Sequence, residues 1–294
     1  MIFLVITWGF DYVTAKFGMD ELTPTCLMFM KFFIGLITVA IIKAARRDRS
    51  LISKRDIPVL ILCAIFGQIL YFECEYNAMS YLPVSLLTIL LAFVPAFSVI
   101  IERVFLKRKA NKKMIFGIAG CILGIALVIG ADLDIIFQGR LLGYIIAFGA
   151  ILAWNIYNFL TASLEKNDPI TLACLQMLCA CIILSPVAIH NMTPVTQWSG
   201  TLIAILIYMG IIGAAVGYMI SIYALKTIGP TATSVYSDFL PVSTAIFGVL
   251  FLHETMSPLQ IVGGIIVIAA GYIVIREKGR LDEARAVGKR PSEM

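Results

Sequence analysis

The stretch from Tyr71 to Lys109, YFECEYNAMSYLPVSLLTILLAFVPAFSVIIERVFLKRK, is apolar enough for a lipid bilayer and still carries Glu73 and Glu75. A related stretch follows from Gly217 to Glu254, GYMISIYALKTIGPTATSVYSDFLPVSTAIFGVLFLHE. Ala78 and Ala224, Pro95 and Pro241, Phe105 and Phe251, and Leu106 and Leu252 all stand 146 residues apart. Trp8 and Trp154, Gly67 and Gly213, and Gly117 and Gly263 keep the same offset, and Pro24 and Pro169 miss it by a single residue. Self-similarity at a fixed offset marks a duplicated architecture. The charges do not follow the duplication: Ser221 stands in the place of Glu75, and Asp238 in the place of Leu91 or Ala92.

Composition agrees with a bilayer environment. The chain is 60% hydrophobic and 14% charged, with a mean hydropathy of +0.95, whereas soluble domains are about half apolar and about a quarter charged. The net charge of +5 does not point to nucleic acid, because the basic residues lie between apolar runs instead of along one amphipathic face. The seven cysteines all fall in apolar segments without zinc spacing, so they read as small apolar fillers. The opening MIFLVITWGFDYVTAKFG lacks a basic leader and contains Asp11 and Lys16. It reads as a retained first span whose abrupt start points to a few further leading residues.

Apolar runs and their breakers predict ten membrane spans, at roughly 2–18, 25–44, 57–78, 84–106, 113–131, 141–163, 170–188, 201–225, 231–252 and 258–275. Each has about the 20 residues that a bilayer crossing needs. Counting the span ends Lys43 and Lys113 with the loops beside them, six Lys and Arg lie around the connection of spans 2 and 3, five around that of spans 4 and 5, and six after span 10. The alternate loops carry acids such as Asp20, Glu21, Asp132 and Asp134. Basic loops stay cytoplasmic, which predicts that both termini are cytoplasmic. The expected fold is an all-α integral membrane protein of two five-helix repeats, residues 1–140 and 141–275, followed by a polar, frayed tail at 276–294. Five spans per repeat is an odd number, so the second repeat enters the bilayer inverted, a common construction of secondary transporters.

The Trp8-Gly9 pair with Lys16 eight residues on, the proline-centred fourth and ninth spans, and the glycine-rich fifth and tenth resemble the drug/metabolite transporter superfamily, in its ten-span EamA-like branch. The resemblance covers residues 1–275. It implies a central cavity lined by spans 1, 3, 4, 6, 8 and 9, with spans 5 and 10 as packing partners. It also implies carriage of amino acids, metabolites, quaternary amines or drugs. Lys31 stands where the family commonly has arginine, and Glu73, Glu75 and Asp238 stand where it is mostly apolar or aromatic.

A charge at membrane depth costs about 2.5–3.5 kcal/mol or more, so it faces a cavity or a partner. Asp11 lies near the middle of span 1 with Trp8 on the same face, and Trp154 and Tyr157 occupy the equivalent face of span 6. Two aromatic walls with an acid between them suit a cationic or aromatic solute; packing of the bundle is the plainer reading. Glu73 and Glu75 lie roughly 200° apart around a helix, so one of them faces the cavity. Glu75, on a face with Gln68 and Tyr71, is assigned to it, and Glu73 to a structural charge pair with Lys31 or to a neighbouring helix. Asp238, beside Tyr236 and just before Pro241, sits where a proline breaks the helix. It serves either the solute or the broken helix end. Glu75, Asp238 and Asp11 are the proton-coupling candidates.

Glycines 117, 120, 124, 263, 264 and 271 read as close helix packing, with a homodimer face as the second reading. Catalytic and phosphate-binding motifs are missing, so no enzyme, metal or cofactor is expected. The expected function is proton-coupled export of small organic solutes, amine-bearing or amino-acid-like, from a bacterial-type plasma membrane. An importer or exchanger of neutral metabolites, with structural acids, is the alternative.

Overall fold

The bilayer interior offers no water to unpaired backbone groups, so a chain of this composition satisfies them within helices. The computed structural model describes residues 1–47, 50–105, 107, 110–130, 140–164, 166–227 and 236–286, and among these every regular element is helical. Helix α1 is Ile2–Gly18 and α2 is Pro24–Ala45. Helix α3 runs Ile57–Cys63, a π segment Ala64–Leu70, then Tyr71–Ala78. Helix α4 has two parts, Val84–Leu91 and Val94–Phe105. Helices α5, α6 and α7 are Lys112–Gly130, Arg140–Ala162 and Pro169–Asn191. Helix α8 runs Gly200–Ile207, a π segment Tyr208–Val216, then Gly217–Thr227. Helices α9 and α10 are Leu240–Leu252 and Pro258–Ala286.

Local chemistry sets the boundaries. Helices α2 and α7 begin with proline at the first position, where its missing N–H costs nothing. The preceding Thr23 and Asp168 accept from the N–H groups of Cys26 and Thr171. Ser199 does the same for Leu202 at the start of α8. Inside α4 a turn at Ala92-Phe93 precedes Pro95, and a turn at Asp238-Phe239 precedes Pro241. In both turns the N–H reaches back three residues, Phe93 to Leu90 and Phe239 to Tyr236. Proline removes a donor and crowds the preceding turn, which breaks both helices at corresponding places.

Among the described residues, eight helices, α2–α8 and α10, are long and apolar enough to cross a membrane. Against the ten expected spans, α1 has 17 residues and α9 has 13; residues 231–235 of the ninth predicted span lie outside the described residues. So do Leu106 of the repeat and Arg49, Arg108, Lys109, Asp132, Asp134, Lys289 and Arg290, which carry part of the orientation argument. The expectation of a frayed tail from Arg276 is corrected in its first part, because α10 stays helical to Ala286. Lys278 bonds Glu102 at 2.7 Å and Ser98 at 3.0 Å, and Glu277 accepts from Asn111 at 2.8 Å. These contacts tie the polar turns of α10 to α4 and to the start of α5.

All residues of Val84–Leu91 are buried, so the first part of α4 runs through the centre of the bundle, while Val94–Phe105 carries Glu102 and Arg103 and leaves Val104 exposed. Helices α5 and α10 pack backbone to backbone. A Cβ on Gly124 would lie 2.7 Å from the carbonyl oxygen of Gly263, and one on Gly263 would lie 2.7 Å from that of Gly124. Gly117 faces Val274 as Gly263 faces Val128, and Cys121 faces Val267. The partner number falls as the residue number rises, so the two helices run antiparallel. Each of these contacts maps onto its counterpart, or onto itself, under the 146-residue offset. Helices α2 and α7 also run antiparallel, with Cys26 beside Ala188 and Gly35 beside Met177. Helix α1 lies on α9, where the Phe10 ring meets Phe247 and Phe251.

Gly124→Ala and Gly263→Ala are each expected to cost about 1–3 kcal/mol through overpacking, measured as a lower midpoint of thermal unfolding in detergent. Gly200→Ala, whose added Cβ would meet nothing within 4 Å, is expected to leave that midpoint unchanged.

Candidate functional site

Helix α1 meets the π segment of α8 at Gly213. The Trp8 indole donates to the Gly213 carbonyl at 3.0 Å. The Asp11 carboxylate fills the place where a side chain at 213 would stand, with Oδ1 2.5 Å from an added Cβ. Lys31 of α2 reaches Asp11 with an Nζ–Oδ2 distance of 2.5 Å. The ammonium also lies 3.3 Å from the Tyr76 hydroxyl and 4.4 Å from the centre of the Phe72 ring. Asp11 and Lys31 are both buried. A desolvated pair is tolerated when further hydrogen bonds and aromatic faces complete its surroundings. Asp11 Oδ1 has no hydrogen-bond partner among the described residues.

The counterpart of this contact carries no charge. Gly67, in the π segment of α3, lies against the Tyr157 ring of α6, and both residues stand 146 positions from their equivalents Gly213 and Asp11. The same close approach is therefore made twice, once with a carboxylate and once with a phenol.

Glu75, 3% exposed, accepts a hydrogen bond from the Tyr12 hydroxyl at 3.0 Å. That hydroxyl lies 3.2 Å from the Tyr71 hydroxyl. From there a belt of rings and amides continues through α6, α7 and α8. The Tyr71 ring lies 4.7 Å from Trp154, and Trp154 lies 5.0 Å from Tyr157. Tyr157 donates to Gln176 at 3.3 Å, as does the Gln68 amide at 3.4 Å. Tyr218 donates to Gln68 at 3.3 Å, and its ring lies 6.1 Å from Trp8. No salt bridge reaches Glu75 among the described residues. Tyrosine hydroxyls both donate and accept, so the same partners serve a carboxylate and a carboxylic acid.

Six of the eight residues predicted to bind solute thus share one region: Trp8, Asp11, Tyr71, Glu75, Trp154 and Tyr157. The other two stand elsewhere. Tyr236 is 39% exposed. Asp238 is buried in the break before α9, with Oδ2 against Gly271 of α10, and that oxygen has no hydrogen-bond partner among the described residues. The partner expected for Lys31 is corrected: it pairs with Asp11, while Glu73 accepts from Thr25 at 3.2 Å and from Asn77 at 3.2 Å. Glu73 faces the first turn of α2, and Lys31 lies almost two turns deeper.

Gln68 and Glu75, placed on one face by an ideal helical period, serve different partners: Gln68 stands within the π segment Ala64–Leu70 and Glu75 in the α-helical turns that follow it. Sequence reasoning missed Tyr12, Tyr76, Gln176 and Tyr218. Gln176 had a usable signal, an amide within the apolar run of α7. The loops add ties at the helix ends. Glu254 accepts from the N–H groups of Val84 and Ser85 at 2.6 and 3.0 Å, capping α4. Glu21, in the loop between α1 and α2, is held below the usual glutamate range by hydrogen bonds from the Ser199 side chain and backbone.

The model of the EamA-like transporter family matches residues 1–130 and 141–276. An uncharacterised transporter of Bacillus subtilis is 22% identical over 93% of this chain and 94% of its own. A probable terminal-alkyne amino-acid exporter of Streptantibioticus cattleyicolor is 24% identical over 99% of this chain and 97% of its own. A solved crystal structure shares the fold with a TM-score of 0.68 at 15% identity, covering 95% of this chain and 96% of the other. Matched over nearly its whole length and built of helices suited to a bilayer, the chain belongs to the EamA-like transporter family.

Proposed function

We propose that the protein is a proton-coupled secondary exporter of small organic solutes that carry an amine, amino-acid-like metabolites foremost. The observation that carries this reading is the difference between two buried acids. Asp11 is ion-paired with Lys31, whereas Glu75 sits among tyrosines and, among the described residues, makes no salt bridge. The half-buried faces of Trp8, Tyr71 and Trp154 flank this region. A carboxylate among aromatic rings attracts an ammonium through charge and through the ring quadrupoles. A proton on Glu75 removes that attraction, so solute and proton compete for one group and are exchanged. The similar Streptantibioticus protein, named as a probable amino-acid exporter, supports both the direction and the solute class.

The mechanism in this reading is alternating access by two inverted five-helix repeats, ten spans in all, with both termini cytoplasmic in a plasma membrane. Support comes from the antiparallel, offset-exchanged contacts of α5 with α10, from the paired π segments, and from the paired helix breaks. Asp238, buried in one of those breaks, is the second proton-coupling candidate. One observation favours the alternative of a neutral-metabolite importer or exchanger with structural acids: Asp11, the acid nearest the middle of α1, is already neutralised by Lys31.

Uptake into liposomes driven by a pH gradient tests the coupling. Glu75→Gln is expected to abolish pH-driven movement and to weaken binding of an amine solute roughly tenfold or more, with Asp238→Asn reducing the coupling. Unchanged pH-driven flux in both variants would remove the carboxylates from the mechanism. The charge pair has its own measurement, thermal unfolding in detergent. Asp11→Asn and Lys31→Met are each expected to destabilise by about 3–5 kcal/mol, with the double variant recovering much of the loss.

A further inference from the structure

Away from the aromatic belt, helices α5 and α10 leave a groove of about 450 Å3, lined among others by Lys113, Phe116, Tyr272, Arg276, Glu277 and Arg280. Three cations share this groove with one acid. Glu277 is buried. It accepts from Asn111 at 2.8 Å and from Arg280 at 2.9 Å, and it stands 3.8 Å from the Lys113 ammonium. Its oxygens are thus occupied from within the wall, and it gathers Lys113 and Arg280 at one end of the groove. The Lys113 side chain remains 69% exposed and that of Arg280 47% exposed. Helix α5 starts at Lys112, which brings the positive end of its dipole to the same place.

The other end of the groove is apolar. Phe116 is 77% exposed, and Tyr272 and Ile273 are 42% and 43% exposed. All three lie on the outward faces of helices that otherwise read as membrane spans. A groove with excess positive charge at a helix end and aliphatic and aromatic walls along the adjoining turns matches one chemistry. We propose that it binds an anionic phospholipid, with the phosphate between Lys113, Arg276 and Arg280 and an acyl chain along Phe116 and Ile273. Basic pockets between spans recognise anionic head groups in this manner. A zwitterionic lipid brings its own cation into the same cluster and is disfavoured. Assignment to the cytoplasmic leaflet rests on the orientation proposed above; recognition rests on the groove alone.

The test uses the full chain, delipidated in neutral detergent and titrated with phosphatidylglycerol, phosphatidylcholine or inorganic phosphate. Thermal unfolding and native mass spectrometry are the readouts. Phosphatidylglycerol is expected to raise the unfolding midpoint and to remain bound at one per chain, with phosphatidylcholine doing neither. Lys113→Gln, at a largely exposed side chain, is expected to weaken the lipid response about fivefold, and Lys113→Gln with Arg276→Gln more than tenfold. An equal response to phosphatidylcholine, or an unaltered response in the variants, overturns the proposal. Inorganic phosphate reproducing the whole effect would make this a free-anion site instead, and a dimer mass without lipid would assign the face to a second copy of the chain.

Discussion

A charge taken out of water must find its compensation inside the protein, and in this chain the Lys31–Asp11 pair meets that demand most directly. The pair joins α1 to α2, and the lysine's further contacts with Tyr76 and Phe72 draw in α3. The acid's own position depends on α8, because only a glycine at 213 leaves room for the carboxylate. One ion pair thus links four helices. Desolvation makes either charge costly without the other, and the arrangement stands as a unit.

The same demand explains the backbone. Helix breaks at Ala92-Phe93 and Asp238-Phe239 expose carbonyl groups that hydrocarbon could not tolerate. Ala92, Phe93 and Asp238 are buried within protein, while Phe239 turns its ring outward at 53% exposure. The π segments of α3 and α8 similarly occur where other helices approach closely, against Tyr157 and against Trp8 and Asp11. Irregular backbone and close approach coincide because a helix without side-chain bulk at the crossing lets its neighbour's polar groups come near. In this chain the polar side chains therefore stand at the crossings of α1, α3, α6, α7 and α8. This chain has made one crossing acidic and left the other phenolic.

Much of this was legible beforehand. Apolar runs separated by Pro, Gly and charged clusters located α1–α8 to within a few residues, because bilayer solvation acts on each segment separately; the start of α9 and the polar end of α10 lay outside that reading. Trp8, Asp11, Tyr71, Glu75, Trp154 and Tyr157 were singled out, and they do come together, because ionisable and aromatic groups inside an apolar run have few places to go. Asp238 was read by the same logic and stands in a different part of the molecule, against Gly271 of α10. An unusual residue signals that it needs surroundings, without saying which.

The sequence by itself determined that the chain is helical and suited to a membrane, since hydrophobicity and backbone satisfaction are properties of a segment and its solvent, and it carries matching residues at an offset of 146. Only the tertiary structure decided that Lys31 pairs with Asp11 and not Glu73, that Tyr12 holds Glu75, and that Gln176 closes the belt between Tyr157 and Gln68. Those choices depend on which helices become neighbours and at what depth they cross. The π segments further shift the helical register on which any pattern argument relies. Electrostatic partnership is a matter of distance in space, and distance is set by packing.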